Sequence, residues 1–524
     1  MGFIQKIKDG FRRMQAATET GKEYKDVFEV DGVPPFRQFY YYAIFPAKMI
    51  YRGLYKPWHV VPAPTIADKD RKRTLYRMHM AKAACAELAS LVWDEGADIT
   101  ITQGNDDTLE RFVKHVLDEN NFNTKMQEHI EQSAALGGGA LKEYVTAKRE
   151  NGKAIAGTER ICIDYCMADQ FIPTAWDNAG VKEAVFVSRQ AKDGYYYTRL
   201  EWHKRNGDTY VISNDLFRAK MKDGADQAQD ILGFYYPLNA VYPEIAPVTE
   251  IKGLTTSLFS YYRTPIANNV DDNSPLGISM YGNAYDTLRA LDEAYDSLVR
   301  EIRLGKKRII VPYSAIKTVY DENGVQRRYF DAEDEAYEAL SIDDTEALKI
   351  QDNSLELRIQ EHSESINAHL STLCLHMGFS AASFSFDVQN GIKTATEVIS
   401  ENSKTYKTVR TFQDQITPAI ERLCRNIIEL GALYDMQFEG KSIAALAKAG
   451  YEISVTMDDA VLEDSKSKLE KAILLVSNGL LSKKTAMTDK KYGIGMTEDE
   501  ADAELQAISN EAPVNSFSVD RLNL

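Results

Sequence analysis

The sequence contains few cysteines, and they are not arranged in the patterns that bind zinc or build a disulfide framework. Its 524 residues include five cysteines, an odd number, and only Cys162 and Cys166 lie close together. No second close pair and no nearby histidine completes a zinc-binding pattern. Disulfide frameworks are typical of small secreted proteins, so the cysteine usage instead predicts reduced thiols in a cytosolic protein.

Long apolar runs are absent as well. No stretch approaches the roughly 18 apolar residues that a membrane-spanning helix requires. The N-terminal segment, MGFIQKIKDGFRRMQ, is basic and amphipathic. It lacks the continuous apolar centre and the cleavage site of a secretory signal. We therefore predict neither a transmembrane helix nor export.

Positive charge is also scarce. The chain has 62 Lys and Arg against 78 Asp and Glu, which gives a net charge of −16. Proteins that hold DNA tightly neutralise its phosphates with Lys and Arg and are usually basic overall. The composition argues against tight, static DNA binding and leaves open a weak or repulsive contact.

No catalytic triad, metalloprotease, Walker or dinucleotide-binding motif is present. The triplet Gly137–Gly139 follows a helix and precedes a strand, whereas a phosphate loop follows a strand and precedes a helix. It is better explained as a helix C-cap and a tight turn. We predict no catalytic residue and no cofactor.

Two kinds of polar cluster could still suggest a metal site. The adjacent carboxylates Asp271-Asp272 and Asp458-Asp459 could hold Mg²⁺ in a nuclease-like site, but carboxylates in turns more commonly cap helices or face solvent. Three histidines recur at seven-residue spacing, at His362, His369 and His376. Successive members of this series would lie about 10 Å apart along a helix, too far to share one ion. We therefore predict no metal site. The three histidines are instead expected to form a polar stripe that faces solvent, a channel or a neighbouring subunit.

The sequence pattern predicts an α+β fold. The first 140 residues are mostly helical, and the clearest helix spans Lys69 to Asp94. From 141 to 262, short β-branched and aromatic runs alternate with turns at Asn151-Gly152 and Asn206-Gly207, which predicts an antiparallel β unit.

The second half of the chain is dominated by long helices. Two of them, Tyr281–Leu304 and Leu355–Met377, flank a small α/β insert with a hairpin through Asn323-Gly324, so the insert lies at the end of a helical hairpin. The longest, Thr394 to Tyr434, begins at a Thr394/Glu397 capping box and contains Pro418, which we expect to kink it. Its apolar stripe has members at steps of three and four: Val409, Phe412, Ile416, Ile420, Leu423, Ile427 and Leu430.

We expect the stripes of these long helices to be more extensive than one subunit alone would cover. Helices that pack side by side around a closed ring would bury them, because a heterologous interface whose rotation closes gives a cyclic assembly.

Three segments carry a family resemblance: YDTLRALDEAYDSLVREIRLGKKRIIVP, GFSAASFSFDVQNGIKTATEVISENSKTY and, more weakly, NGLLSKKTAMTDKKYGIGMTEDEADAELQAI. In these segments and in the order of its elements, the chain resembles the portal proteins of tailed bacteriophages, particularly those of long-tailed phages of Gram-positive hosts. The resemblance implies a portal-type division into a wing (1–270), a stem helix (281–304), a clip (305–354), a second stem helix (355–378), a tunnel loop (379–393), a kinked spine helix (394–434), a return to the wing (435–462), a crown (463–512) and a flexible tail (513–524).

The resemblance also implies functional residues. The tunnel loop and early spine would approach DNA through Phe384, Phe386, Asn390, Lys393, Lys404, Lys407 and Arg410. The four basic residues among these are candidates for transient phosphate contact, or alternatively ordinary surface charges. The clip would dock partners through Arg308, Tyr320, Asn323, Arg327 and Arg328.

The implied function is a non-enzymatic ring, usually of twelve subunits, at one capsid vertex of the virion, assembled in the host cytoplasm. Double-stranded DNA would pass through it, and an acidic wall would repel phosphates and lower friction. The implied partners are the terminase large subunit, which would hydrolyse ATP, a head-completion or adaptor protein, and a capsid or scaffold protein. No membrane is expected.

Two other functions stay open at this point. One is an oligomeric cytosolic or membrane-surface helical scaffold whose basic N-terminus lies on anionic lipid. The other is a metal-dependent nuclease that uses the paired carboxylates.

Overall fold

The computed structural model contains both helices and antiparallel strands, which agrees with the predicted α+β class. The residues that it describes are 22–65, 68–94, 96–104, 106–150, 153–155, 157–221, 231–305, 309–310, 317–320, 326–329, 351–352, 356–381, 383–384, 395–457, 465–488 and 496–510.

The helices longer than one turn are α1 (Phe45–Tyr51), α2 (Met80–Val92), α3 (Thr108–Glu119), α4 (Phe122–Leu136), α5 (Tyr285–Leu304), α6 (Ile359–Met377), α7 (Ala395–Leu433), α8 (Ile443–Lys448), α9 (Ser465–Ser477), α10 (Lys483–Thr488) and α11 (Glu498–Asn510). Shorter helical turns occupy Val27–Glu29, Arg37–Phe39, Tyr40–Ile44, Lys56–His59, Ala168–Gln170 and Leu238–Ala240. Within the described part of the chain, none of the helices is both long enough and apolar enough to cross a lipid bilayer.

The strands are β1 (Glu23–Tyr24), β2 (Val60–Pro62), β3 (Lys72–Thr74), β4 (Ala97–Thr102), β5 (Gly138–Thr146), β6 (Arg149–Glu150), β7 (Lys153–Ala154), β8 (Arg160–Met167), β9 (Phe171–Asp177), β10 (Gly180–Lys192), β11 (Tyr195–Asn206), β12 (Thr209–Lys220), β13 (Gly233–Tyr236), β14 (Val248–Lys252), β15 (Phe259–Arg263), β16 (Ile309–Ile310), β17 (Lys317–Tyr320), β18 (Gln326–Tyr329), β19 (Gln351–Asp352), β20 (Gln437–Phe438), β21 (Lys441–Ser442) and β22 (Glu452–Met457).

The largest sheet is antiparallel and has seven strands in the order β1-β13-β12-β11-β10-β9, with β14 also paired to β12. The turn predicted at Asn206-Gly207 is confirmed, because Asn206 pairs with Thr209 across a two-residue loop. A second sheet has the order β15-β5-β8, and β22 pairs with β4. The predicted antiparallel β unit is therefore present.

The second half of α7 lies at the centre of the core, against β5, β15 and β22 and against α2, α3 and α8. Its predicted apolar stripe is confirmed, because all seven of its members, from Val409 to Leu430, are at most 5% exposed. The expectation that one subunit would not cover this stripe is wrong, because strands and helices of the same chain bury it. The helix continues through Pro418. Thr394 lies outside the described residues, and the kink at Pro418 stays a prediction.

The helix predicted over Lys69–Asp94 is wrong in its first part. Residues Lys72–Thr74 form β3, and α2 begins only at Met80, after a left-handed His79 with φ of 56°. The backbone amides just before α2 are used in long-range hydrogen bonds instead of helical ones. Leu75 N–H, for example, donates to the carbonyl of His59 at 2.8 Å. Tertiary hydrogen bonding overrides the helical periodicity there.

The ends of the two flanking helices also differ from their predicted positions. Helix α5 begins at Tyr285 rather than at Tyr281. Tyr281 lies before the helix, and its buried hydroxyl donates a hydrogen bond to the Ala47 carbonyl at 2.8 Å. Helix α6 begins at Ile359 rather than Leu355.

The C-cap predicted at Gly137–Gly139 is confirmed, and the last helix begins with a capping box. Gly137 is the left-handed C-cap of α4, with φ of 100°, and a Cβ there would lie 2.4 Å from the Gly277 carbonyl oxygen. Near the C-terminus, Thr497 Oγ1 accepts the Glu500 N–H at 3.3 Å while Glu500 Oε2 accepts the Thr497 N–H at 3.0 Å. This reciprocal pair is a capping box at the start of α11.

Candidate functional site

Helices α5 and α6 run antiparallel and form a helical hairpin, with the insert in the connection between them. At one end, the Arg358 guanidinium donates to both carboxylate oxygens of Glu301, at 3.1 and 3.0 Å. At the other end, Thr287 Oγ1 lies 3.3 Å from His376 Nδ1. The buried apolar residues of the hairpin include Leu288, Leu291, Ile366, Leu370 and Leu373. The predicted hairpin is therefore confirmed.

Asp296 of α5 fastens this hairpin to the preceding β2–β3 segment. The Arg73 guanidinium donates to both oxygens of Asp296, at 2.7 and 2.6 Å, and the Tyr76 N–H donates to the same carboxylate at 3.1 Å. Burial raises the pKa of Asp296, but the hydrogen bonds from Arg73 and Tyr76 and the nearby positive charges together outweigh it, so the pKa lies below its usual value. The carboxylate is ionised and bound on two sides.

Asp292, one turn earlier on α5, makes a parallel connection. Its Oδ1 accepts the Met78 N–H at 3.0 Å, and its Oδ2 lies 3.1 Å from His59 Nε2. Residues four apart share one face of a helix, so Asp292 and Asp296 together attach α5 to the segment that precedes α2. Sequence reasoning missed both. The available signal was a pair of aspartates at four-residue spacing beside an apolar stripe.

The chain leaves α6 through a segment, Gly378–Ser380, that docks on α7. Thr408 Oγ1 donates to the Gly378 carbonyl at 2.7 Å, and Thr405 Oγ1 accepts the Ser380 N–H at 2.8 Å. Gly378 has φ of 82°, and a Cβ there would lie 2.6 Å from Thr408 Oγ1. Two threonines on one face of α7 thus hold the start of the predicted tunnel loop.

Of the two loop phenylalanines, the structure describes only Phe384. It is partly buried, and its ring packs edge-on against the fully buried Phe379, with 5.3 Å between ring centroids. Phe386, Asn390 and Lys393 lie outside the described residues.

The three basic residues of early α7 have different environments. Lys404 Nζ donates to the Leu375 carbonyl in the last turn of α6, at 2.9 Å. A cation is favourable there because the C-terminus of a helix is electronegative. Lys407 and Arg410 are exposed, and their side chains have no hydrogen-bond or ion-pair partner among the described residues. Lys404 has a structural contact, whereas Lys407 and Arg410 face solvent.

In the insert, the predicted hairpin is confirmed by the pairing of β17 with β18, in which Tyr320 lies opposite Gln326. Arg327 and Arg328 lie on β18 opposite Val319 and Thr318. Arg308 and Asn323 lie outside the described residues.

One side of α6 is uncovered along the length of the helix. We call it the uncovered face of α6. Its exposed residues are Glu361, Glu364, Ser365, Ala368, Ser371, Thr372 and Leu375. On α5, the apolar side chains are covered only in the first half of the helix, because Leu291 is buried while Ile302 is 50% exposed. The hairpin therefore presents surface that the described part of the chain does not cover.

The residues considered for metal binding are not brought together where the structure describes them. Within the described ranges, no three His, Cys, Asp or Glu side chains are grouped as a metal site would require. Asp271 Oδ1 accepts the Asn273 N–H at 3.1 Å and Asp271 N–H donates to Asn268 Oδ1, so Asp271 belongs to a network of turns. Asp458 and Asp459 lie outside the described residues.

The comparison with protein families agrees with this arrangement. The family model for phage portal proteins of the SPP1 Gp6-like type matches residues 40–512. No individually curated protein matches the chain significantly. The family match covers most of the chain, including the sheets, the helical hairpin, the insert and α7. The chain belongs to the phage portal protein family.

Proposed function

We propose that this chain assembles into a closed ring of about twelve copies at one capsid vertex, and that double-stranded DNA passes through the ring during packaging and ejection. The observation that carries the proposal is the family match over residues 40–512. Phage portal proteins are structural components of the virion and, in general, not enzymes.

The helical hairpin supports the ring. One side of α6 is exposed from Glu361 to Leu375, and the end of α5 exposes Ile302 and Leu304 at 50% and 54%. Large exposed apolar side chains beside an uncovered helix face mark a surface that packs against another protein. A second copy of the hairpin supplies such a surface in a head-to-tail ring.

The net charge supports a passage for DNA rather than a tight grip. An acidic wall repels phosphates, so DNA releases few counterions to it and slides with little friction. Lys407 and Arg410, which are exposed near the start of the long helix, would make brief phosphate contacts as the DNA moves.

The division of labour follows the predicted segments. Residues 1–270 would form the wing, 281–304 and 355–378 the stem, 379–393 the tunnel loop and 463–512 the crown. The clip (305–354) would bind the terminase large subunit first and a head-completion or adaptor protein later. A capsid or scaffold protein would surround the ring as it assembles in the cytoplasm of a Gram-positive host.

The first test is the mass and symmetry of the purified protein. Native mass spectrometry and negative-stain class averages should give a closed ring of about twelve copies with a central hole. A protein that stays monomeric over a range of salt and protein concentrations, and also when its scaffold or capsid partner is present, would contradict the ring.

The second test concerns the tunnel loop. Phe384→Ser combined with Phe386→Ser should reduce DNA packaging and particle yield, because Phe384 seats the loop against Phe379. The control is Phe234→Ser, a change of the same kind at a side chain that is 47% exposed on β13. Equal packaging by the double variant and the control would contradict this role.

A third test concerns the clip. Arg327→Glu with Arg328→Glu should weaken capture of the terminase large subunit by preformed rings without changing the ring itself. Unchanged capture would remove these two arginines from the docking surface.

A further inference from the structure

A cluster of arginines lies at the C-terminal end of α5, in a chain that is otherwise acidic. A groove of about 560 Å³ runs between this end of the helix and the β2–β3 hairpin, and Arg71, Arg73, Arg300 and Arg303 line it. Arg73 is held by Asp296. Arg300 makes no salt bridge to Asp296 and interacts with that carboxylate only through a longer-range electrostatic attraction.

The other three arginines of the groove are exposed and form no salt bridge with any residue that the structure describes. Among the described residues, the side chains of Arg71, Arg300 and Arg303 have no hydrogen-bond or ion-pair partner. The chain as a whole has a net charge of −16, so these arginines form a local basic patch on an acidic protein. Such a groove suits a partner that presents carboxylates.

The start of the second helix of the hairpin has the opposite property. Glu356, Glu361 and Glu364 are exposed at or just before the first turns of α6. Glu364 accepts a hydrogen bond from the neutral amide of Gln360, at 3.0 Å, and within the described ranges none of the three carboxylates forms an ion pair. These carboxylates lie at the acidic end of the uncovered face of α6.

The two groups lie at similar heights along the hairpin. Arg358 binds Glu301, so the residues next to this pair on the two helices are level with one another. Arg300 and Glu361 therefore lie within about one helical turn of the same height. Rotation about a ring axis preserves height along that axis, so a hairpin that runs along the axis would bring these two groups together between neighbouring copies.

We propose that the arginine groove of one copy receives the acidic end of α6 from the next copy. The inference rests on the proposed ring and specifies the contact that closes it. The occupant is a second copy of this chain, because its own unpaired carboxylates match the unpaired arginines in charge and height. These ion pairs would offset part of the repulsion between acidic subunits at the point of contact.

Two charge-reversal variants test the contact. Arg300→Glu with Arg303→Glu makes both surfaces acidic, and Glu361→Arg with Glu364→Arg makes both surfaces basic. At low ionic strength, each variant alone should need at least about tenfold more protein than the wild type to form rings, because like charges then meet. The defect should shrink at high salt, which screens exposed charges.

Mixing the two variants is the decisive experiment. A one-to-one mixture should recover rings in which the two variants alternate, because each acidic surface then meets a basic one on both sides. Lys192→Glu with Lys220→Glu is the matched control. It changes the net charge by the same amount at exposed strand ends and should assemble like the wild type.

Each outcome decides the inference. If the arginine variant is folded by circular dichroism and forms rings like the wild type, the inference is overturned while the ring stands. If both variants fail alone and their mixture fails too, the charges are not complementary partners and the inference is also overturned. Normal rings with weakened binding of a DNA duplex would assign the groove to phosphate instead. A wild type that never forms rings would overturn the proposed function itself, and this contact with it.

Discussion

The long helix α7 and the hairpin of α5 and α6 are both amphipathic, but they differ in how far their apolar side chains are buried. Along α7, the stripe from Val409 to Leu430 is buried by the chain's own strands and helices. On the hairpin, Leu291 is buried but Ile302 and Leu375 are 50% and 64% exposed. Helix α7 completes a core within one subunit, whereas the hairpin keeps a face for a neighbour. Substitutions in the two elements should therefore differ in their effects on stability.

The strongest contrast comes from the same substitution at the two sites. Leu423→Ala on α7 should lower the free energy of unfolding by about 2–5 kcal/mol, because it leaves a cavity in a packed core. Leu375→Ala on α6 should change it by less than about 0.5 kcal/mol. Denaturant titration of dispersed subunits measures both. Similar losses for the two variants would contradict the distinction between a covered and an uncovered helix.

The attachment of the hairpin to the β2–β3 segment should depend on Asp296. Asp296→Ala leaves the Arg73 guanidinium and the Tyr76 N–H without their acceptor, at a cost of about 2–3 kcal/mol in unfolding free energy. Asp286→Ala, at an exposed position on the same helix, should have little effect.

The same group also predicts an acid dependence. The folded pKa of Asp296 is lowered, so its contribution is complete above the ordinary carboxyl pKa and is lost as the pH falls through the folded value. The stability difference between wild type and Asp296→Ala should therefore shrink below about pH 4. A difference that does not change with pH would contradict an ionised, hydrogen-bonded Asp296.

Where α7 crosses the second sheet, a buried carboxyl makes stability depend on pH. Burial raises the pKa of Glu143 to about 8, against the lowering effect of its hydrogen bond from Asn426 Nδ2, which is 2.9 Å long. The folded pKa exceeds the unfolded one, so the contribution is complete below the unfolded value and is lost as the pH rises toward 8.

Glu143→Gln should remove this dependence. The variant should gain stability relative to the wild type between pH 5.5 and 8.5, by roughly 1–3 kcal/mol, because a buried amide carries no charge at any pH. Parallel denaturation curves at the two pH values measure the gain. A constant difference between the two proteins would mean that Glu143 is ionised throughout this range.

The smallest effect is expected where the hairpin meets α7. Thr405→Val removes the acceptor of the buried Ser380 N–H and should cost about 1 kcal/mol. Amide exchange of Ser380 should become faster. Thr411→Val, which affects only hydrogen bonds within α7 at an exposed position, is the control. Unchanged exchange at Ser380 would mean that Thr405 does not hold the start of the loop.

Helical spacing predicted the structure correctly along α7 and incorrectly just before α2. The stripe of α7 was predictable because its seven members repeat at helical spacing and are all covered. The same reasoning failed at Leu75 and Met78, which have helical spacing with the residues of α2 but precede it. Their backbone amides bind His59 and Asp292, and no local pattern reveals a partner that is distant in sequence.

In the candidate site, too, some features were predictable from the sequence and others were not. The helical hairpin and the paired strands of the insert were predictable, because they depend on periodicity and on turn residues. The hydrogen bonds of Asp292, Asp296, Thr405 and Thr408 were not predictable, because each joins residues that are distant in sequence. Lys404, predicted as a possible DNA contact, binds the end of α6 in the structure.

By itself, the sequence determined the class of fold, the order of its elements, the apolar stripe of α7 and the acidic character of the chain. These properties depend on residue type and short-range spacing, which the order of residues along the chain gives directly. Only the tertiary structure decided which faces of these helices are covered and which charges are paired. Coverage and pairing depend on residues that folding brings together, and so the unpaired arginines of α5 and carboxylates of α6 became visible only when the chain was folded.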